Sequence, residues 1–393
     1  MADKAYITPK VLKWARESAR IADFVAASKV SVSVEKLQEW EEGISQPTIR
    51  QAQLLAKTYK RPFALFFLPD IPKDFQPLQD FRTKGSRELS TASIFIIREI
   101  QKKQNWISEV NEENNERKII FVGKYSIKDN PIIVANDILN TLGINPFNYN
   151  NTSNPIIEWI DKAESNGIFI SRTSFIHSRL KLDSDEIQGF AISDAYAPFV
   201  FINSDDWNAP QLFTLVHELA HIWISETGIS NEIDPDIKNK GKYHPVELFC
   251  NEVAANALMP IELFTKIDRN IFKSSKEVFR EAKKIGVSSF AFLVRSLNLN
   301  LITVSTYNKL KVEADKDFKD FLLREEKKKA KQKEQEKRTG PDYFLLQLNR
   351  NSRLFTQTVL DAFRGGYIEP TQASSLLDVQ VNKFSKLEAQ LYR

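Results

Sequence analysis

The sequence predicts an α+β protein with an all-α N-terminal part and a helical C-terminal extension. Three observations carry this. Residues 9–70 show helical apolar spacing broken only by tight turns. From about Pro131, helical stretches alternate with short β-branched and aromatic runs. From residue 275 the helical pattern returns alone.

In the N-terminal part, Pro9 suits a first helical turn, and Val11, Leu12, Trp14 and Ala15 follow at helical spacing. Ile21 to Ser28 reads as a second short helix. Ser33 is placed to cap a third, Val34 to Glu42, which Gly43 stops, and Thr48 caps a fourth. The apolar run Pro62 to Pro69 closes the unit. A helix is expected from about Thr91 to Glu113, then a short strand from Ile119 to Val122. Ile132 to Leu142 and Ile156 to Ser165 are helical by periodicity. Ile168 to Ser171, Gln188 to Ile192 and Pro198 to Ile202 read as strands. Ala209 to Ser225 and Pro245 to Leu258 read as helices, the second ended by Met259-Pro260. Residues 313–338 are dominated by Lys, Glu, Asp and Arg, as in a solvated helix or a flexible connector. Gly365-Gly366 marks a turn in the last helical unit. The expected division is therefore a helical domain over 1–70, a helical connector over 71–130, a mixed domain over 131–262, a helical extension over 263–312, a charged helix or linker over 313–340 and a C-terminal helical unit over 341–393.

Composition narrows the function classes. A hydrophobic fraction of 42% suits a folded globular chain. A net charge of +4 over 393 residues provides no general coat for nucleic acid, although a local basic patch stays open. Cys250 is the one cysteine, which excludes a disulfide framework and a cysteine-based zinc site. Met1 to Ala22 is charged throughout, unlike a signal peptide. No apolar run reaches the roughly 18 residues that span a bilayer. A cytoplasmic chain without membrane association is expected.

The chemistry-bearing motif is His217-Glu218-Leu219-Ala220-His221. Residues i and i+4 share one helix face, so both imidazoles can reach one metal ion. Glu218 follows the first histidine and can act as general base toward an activated water. Leu212, Phe213, Leu215, Val216, Leu219, Ala220, Ile222 and Trp223 make this helix apolar on nearly every side. Burying two imidazoles and a carboxylate there is costly unless a divalent cation satisfies them. A catalytic zinc needs a third protein ligand. Ile224 and Thr227 stand where Gly and His would extend the motif. The downstream carboxylates are Glu226, Glu232, Asp234, Asp236, Glu247 and Glu252. Those up to Asp236 lie in a loop-like stretch. Glu247 opens an apolar helix, which holds a ligand more rigidly. Asn251, one turn later, is placed to orient that carboxylate. Glu252 is the second candidate and reads more simply as a solvated helix residue. The expected site is thus Zn2+ on His217, His221 and Glu247, with Glu218 as the base.

Taken with that motif, Glu247-Leu248-Phe249-Cys250-Asn251-Glu252-Val253-Ala254-Ala255-Asn256-Ala257-Leu258-Met259-Pro260 resembles the second motif of the ImmA/IrrE family of metallopeptidases. Glu247 matches that family's metal-binding glutamate, Asn251 its asparagine and Leu258-Met259-Pro260 its ending. Cys250, Val253 and Ala257 depart from it by small or apolar exchanges that spare the ligand. The resemblance covers about residues 131–305. It implies a compact zincin-like domain that cleaves a protein substrate, often a repressor, in a stress-response or mobile-element switch.

Leu37 to Thr48 is similar to the turn after the recognition helix in Xre-type helix-turn-helix domains. Pro77-Leu78-Gln79-Asp80-Phe81-Arg82 resembles the segment that follows such a domain when it is fused to an ImmA/IrrE peptidase. The fold so implied does not imply DNA binding. The helix that would enter the major groove carries Glu35, Glu39, Glu41 and Glu42 against Lys36, with Gln38 beside them. Four carboxylates would meet phosphates there. Arg16, Arg20, Arg50, Lys57, Lys60 and Arg61 are left for backbone contacts. A DNA-binding module and a protein-recognition module both stay open. Gly286 to Leu297 also resembles a helix-turn-helix segment, with Arg295 its one strongly basic residue. Phe290, Phe292, Leu293 and Leu297 read there more simply as core.

His177, in a loop between strands, is a candidate substrate contact. Tyr243 and His244 precede the Glu247 helix and are candidates to donate to a tetrahedral intermediate. Cys250 reads as a small buried hydrophobe. The competing class is a helix-turn-helix regulator, or an antitoxin-like binding protein, whose zinc is structural. Glu218 separates the two, because a structural site needs a fourth ligand and has no use for a free acid beside the others.

Overall fold

The computed structural model describes residues 3–72, 78–81, 88–149, 154–177, 180–230, 244–335 and 342–392. The chain forms two compact units. One comprises residues 1–77, 87–101 and 176–181, the other residues 78–86, 102–175 and 182–393.

In the first unit, α1 (Pro9–Ser18), α2 (Asp23–Lys29), α3 (Val34–Glu42) and α4 (Ile49–Thr58) enclose Val11, Leu12, Ala27, Leu37, Trp40, Leu55, Tyr59 and Phe66. The expected punctuation is present. The Ser33 side chain accepts from Lys36 N, Gly43 stops α3 at φ 81°, and Thr48 and Gln51 cap each other's backbone at the start of α4. Glu41 does not face outward as expected. It is buried, and Arg16 donates to both its oxygens at 2.7 and 2.8 Å, tying α1 to α3. Glu39 accepts from Ser45 at 2.9 Å and pairs with Lys36. The outer face of α3 is therefore acidic by fewer groups than its sequence suggests. Further along the chain, α5 (Thr91–Glu113) contributes residues 91–101 to this unit and 102–113 to the other.

The second unit is built on a five-stranded sheet. Its strands are β1 (Gln79–Asp80), β2 (Phe169–Thr173), β5 (Gly189–Ile192), β6 (Phe199–Asn203) and β7 (Gly228–Ser230), in the order β1-β7-β5-β6-β2. β2 runs parallel to β6, β5 is antiparallel to β6 and β7, and β1 is parallel to β7. A two-stranded ribbon, β3 (Phe175–His177) with β4 (Leu180–Lys181), follows β2 in the chain, its residues 176–181 belonging to the first unit. Every residue of β5 and β6 is buried. Packed with the sheet are α6 (Pro131–Leu142), α7 (Pro155–Ser165), α8 (Asn208–Trp223) and α9 (Pro245–Leu258). From Gln211 to Trp223 every residue of α8 is buried, as its composition requires. The strand expected at Ile119 to Val122 is instead a turn. Its apolar character serves packing, since Phe121 stacks on Trp223 with ring centres 4.2 Å apart.

The remaining helices are α10 (Ile261–Thr265), α11 (Ser275–Lys284), α12 (Ser289–Asn298) and α13 (Val304–Gln335), the last carrying most of the charged run. Arg295 donates to the Met259 carbonyl at 2.9 Å and to Asn256 Oδ1 at 2.7 Å, so it anchors α12 to the end of α9. Last come α14 (Tyr343–Asn351), α15 (Arg353–Arg364), α16 (Pro370–Leu377) and α17 (Phe384–Leu391). α14 packs against β2, the terminal strand of the sheet, and the Arg350 carbonyl accepts from Ser171 Oγ at 2.6 Å.

The α14–α15 turn is held by Glu164 of α7. Ser352, at φ 73°, donates from Oγ to Glu164 Oε1 at 2.5 Å, and Arg353 N donates to the same oxygen at 3.0 Å. Burial outweighs these bonds and raises the Glu164 pKa to about 7 from an ordinary 4.5. A carboxyl raised on folding contributes stability that is complete below about pH 4.5 and is lost as pH rises through about 7. Glu164→Gln removes that loss. Between pH 5 and pH 8 the melting temperature of the wild-type chain is expected to fall relative to E164Q, by on the order of 2–4 °C. Parallel melting profiles would contradict the shift.

Candidate metal centre

Helices α8 and α9 pack side by side, and the groups they share are almost wholly buried. His217 and His221 lie one turn apart on α8, and Glu247 lies in the first turn of α9, where the helix N-terminus favours a carboxylate. His217 Nε2 is 3.2 Å from Glu247 Oε2, His221 Nε2 is 3.2 Å from Glu247 Oε1, and the two Nε2 atoms are 3.1 Å apart. One ligand atom of each residue thus lies within 4.8 Å of the others, and all three residues are buried. Burial opposes charge on Glu247, but the charges and hydrogen bonds of His217 and His221 outweigh it and hold its carboxyl well below the usual range. Burial lowers the pKa of His221, while the hydrogen bond and charge of Glu247 oppose that shift.

The surroundings assign different roles from those expected. Asn251 does not orient Glu247. Its Oδ1 lies 2.9 Å from His217 Nδ1, so the ring donates from Nδ1 and keeps the Nε2 lone pair for the shared centre. Glu247 is oriented by Ser230 Oγ, which donates to its Oε1 at 3.2 Å from the end of β7. Within the stretch that reads as loop in the sequence, Gly228 to Ser230 is therefore a strand that borders the site.

Glu218 is fully buried, and neither of its oxygens has a hydrogen-bond partner among the described residues. Burial, reinforced by the charge of Glu247 and only partly opposed by nearby Ser230, which donates to Glu247, raises its carboxyl well above the usual range. Space for it is left by Gly189 of β5. A Cβ there would stand 2.7 Å from Thr214 Cγ2 and 2.9 Å from Glu218 Oε1. Two imidazole nitrogens and one carboxylate are a donor set suited to zinc with an open position. Together with an unpartnered carboxylate beside them, these residues fit a bound divalent cation.

The other candidates separate clearly. Glu252 is exposed, and Glu226 is half-buried outside the cluster. Glu232, Asp234, Asp236 and Tyr243 lie outside the described residues. His177 ends β3 rather than lying in a loop. His244 is exposed and caps α9, its Nδ1 accepting from Val246 N at 3.4 Å. Cys250 is buried as expected and stands outside the cluster. Sequence reasoning assigns nothing to Ser230 or Gly189, and it notes Phe81 only within the Pro77 to Arg82 segment, with no role at the site. Phe81 is buried with its ring stacked on that of His221. Their signal is faint, a glycine or serine in a short strand and one aromatic residue in a connector.

A helix of paired histidines facing a helix-borne glutamate forms a group that could hold a metal ion. Residues 163–297 match the family model of the IrrE N-terminal-like domain of peptidases, and this similarity supports a metallopeptidase-type function. The matched stretch contains His217, Glu218, His221 and Glu247 and leaves the N-terminal helical unit outside it. No curated protein shows significant similarity to the chain. No helix among the described residues is long and apolar enough to cross a membrane.

Elemental analysis of the purified chain is expected to find about one zinc per molecule, the number of ligand sets that this geometry forms. His217→Ala combined with His221→Ala should abolish it. Zinc retained by the double variant would contradict the site.

Proposed function

We propose that this chain is a zinc-dependent endopeptidase in which His217, His221 and Glu247 hold the metal and Glu218 is the general base. The observation that carries this reading is the buried Glu218 carboxylate. It lies on the helix that bears both histidines, has no hydrogen-bond partner among the described residues, and stands opposite a glycine that leaves it room. Zinc, when bound, supplies Lewis acidity and lowers the pKa of water. In this reading Glu218 takes the proton of the attacking water and returns it to the leaving amine. Asn251 keeps the His217 lone pair directed at the centre, and Ser230 steadies Glu247. The apolar walls from α6, α8 and α9 exclude competing water. A purely structural zinc is disfavoured, since such a site would need a fourth protein ligand and leave Glu218 buried without purpose.

The similarity of residues 163–297 supports a peptide bond as the target. The finer proposal, drawn from the resemblance to ImmA/IrrE peptidases, is that the substrate is a helix-turn-helix repressor cleaved in a stress-response or mobile-element switch in the cytoplasm. The N-terminal helices then serve as an Xre-like module. The acidic outer face of α3 favours recognition of protein over sequence-specific DNA.

Glu218→Gln tests the assignment. The variant should keep zinc and fold and lose on the order of 10²–10⁴ in cleavage rate on the protein substrate. Glu247→Ala should weaken zinc binding as well. Wild-type cleavage by E218Q with zinc bound would overturn the assignment and favour the structural-zinc alternative.

A further inference from the structure

The two histidines of the centre are held in unlike ways. His217 donates through Nδ1 to Asn251, the arrangement by which a ligating imidazole is usually oriented. His221 Nδ1 is buried and has no hydrogen-bond partner among the described residues. Among the described residues, ring packing rather than a hydrogen bond at Nδ1 holds that ring. Phe81 lies flat against it, with centroids 5.5 Å apart and planes inclined by 15°. Phe81 also meets His244 on a ring contact at 5.0 Å and 34°.

Phe81 is itself firmly placed. It is 2% exposed, and its N–H donates to the Ile229 carbonyl at 3.1 Å as β1 pairs with β7. Its ring fills the space left by Gly228, where a Cβ would come within 2.2 Å of two ring carbons. A residue remote in sequence from both metal-ligand helices is thus packed onto one ligand by a strand that only Gly228 admits.

We propose that Phe81 is a positioning residue for the metal centre. It sets the orientation of the His221 imidazole by stacking, in place of the hydrogen bond that His217 makes, and the segment from Leu78 to Phe81 thereby completes the metal site. This inference rests on the reading of His217, His221 and Glu247 as metal ligands.

The test is zinc affinity, measured on the full-length chain by competition with a chelator well below the melting temperature. Loss of a residue that orients a ligand should raise the zinc dissociation constant of Phe81→Ala about tenfold or more, whereas Phe81→Tyr, which keeps a flat ring, should stay within about twofold of wild type. Gly228→Ala retains Phe81 but displaces its ring, and should weaken zinc binding as Phe81→Ala does. A merely structural role would lower the melting temperature of the metal-free protein and leave zinc affinity unmoved. If Phe81→Ala does not fold, Phe81→Leu keeps most of the volume without the flat face and carries the comparison. Wild-type zinc affinity in folded F81A or F81L, or equal weakening in F81A and F81Y, would overturn the proposal. A wild-type chain that binds no zinc at all would instead overturn the metal-site reading on which it rests.

Discussion

The packing of α8 against α9 buries two imidazoles and two carboxylates almost completely, and the rest of the second unit is arranged around that constraint. Buried groups of this kind cost several kcal/mol each unless they are paired or bind a cation. Glu247 is paired with both histidines, and His217 has Asn251. Glu218 has no such partner among the described residues, so the cost of its burial is relieved either by holding a proton, as its raised pKa indicates, or by a cation bound beside it. The apolar residues of both helices exclude water and hold the backbones close enough for the ligand atoms to converge. The β5–β6 pair supplies a fully buried sheet surface, with Gly189 set against the one carboxylate that does not converge.

Both ends of the sheet are occupied. At one end, α14 covers β2, and the buried Glu164 clamps the α14–α15 turn to α7. The C-terminal helices are thereby part of the second unit rather than an appendage. At the other end, β1 covers β7 and brings Phe81 onto His221. β7 itself ends in Ser230, the donor to Glu247. The strand pair β1–β7 and the residue after β1 therefore bring two side chains to the candidate metal centre, Phe81 by stacking and Ser230 by hydrogen bonding, neither of them part of the His-Glu-x-x-His motif.

How much of this is legible in the sequence depends on the range of the interaction. The pairing of His217 with His221 is legible because helical geometry fixes i and i+4 on one face. Glu247 is legible because a carboxylate early in an apolar helix must be buried, and a buried carboxylate needs a partner. Caps at Ser33 and Thr48 are local hydrogen bonds and can be read directly. Asn251 looks in sequence like a partner of its own helix neighbour, and it serves His217 on the other helix instead. Spacing along one helix does not show which neighbour a side chain meets across a packed interface. Glu41 reads as an exposed charge for the same reason, since its partner Arg16 lies on α1. β1 and β7 span two and three residues, too short for any period, so Ser230 carries no signal beyond its identity, and Phe81 is marked only by the resemblance of its segment, which does not place it against His221. At Ile119 to Val122 an apolar run mimics a strand because burial in a turn and burial in a sheet look alike over so short a stretch.

The central claim is that the buried groups of α8 and α9 form a zinc site without sulfur. X-ray absorption at the zinc edge on the purified chain tests it most directly. The account predicts two imidazole nitrogens with carboxylate or solvent oxygen at about 2.0–2.2 Å and no sulfur neighbour. A sulfur shell at about 2.3 Å, which could come from Cys250 or a methionine, or a zinc environment lacking imidazole, would contradict it.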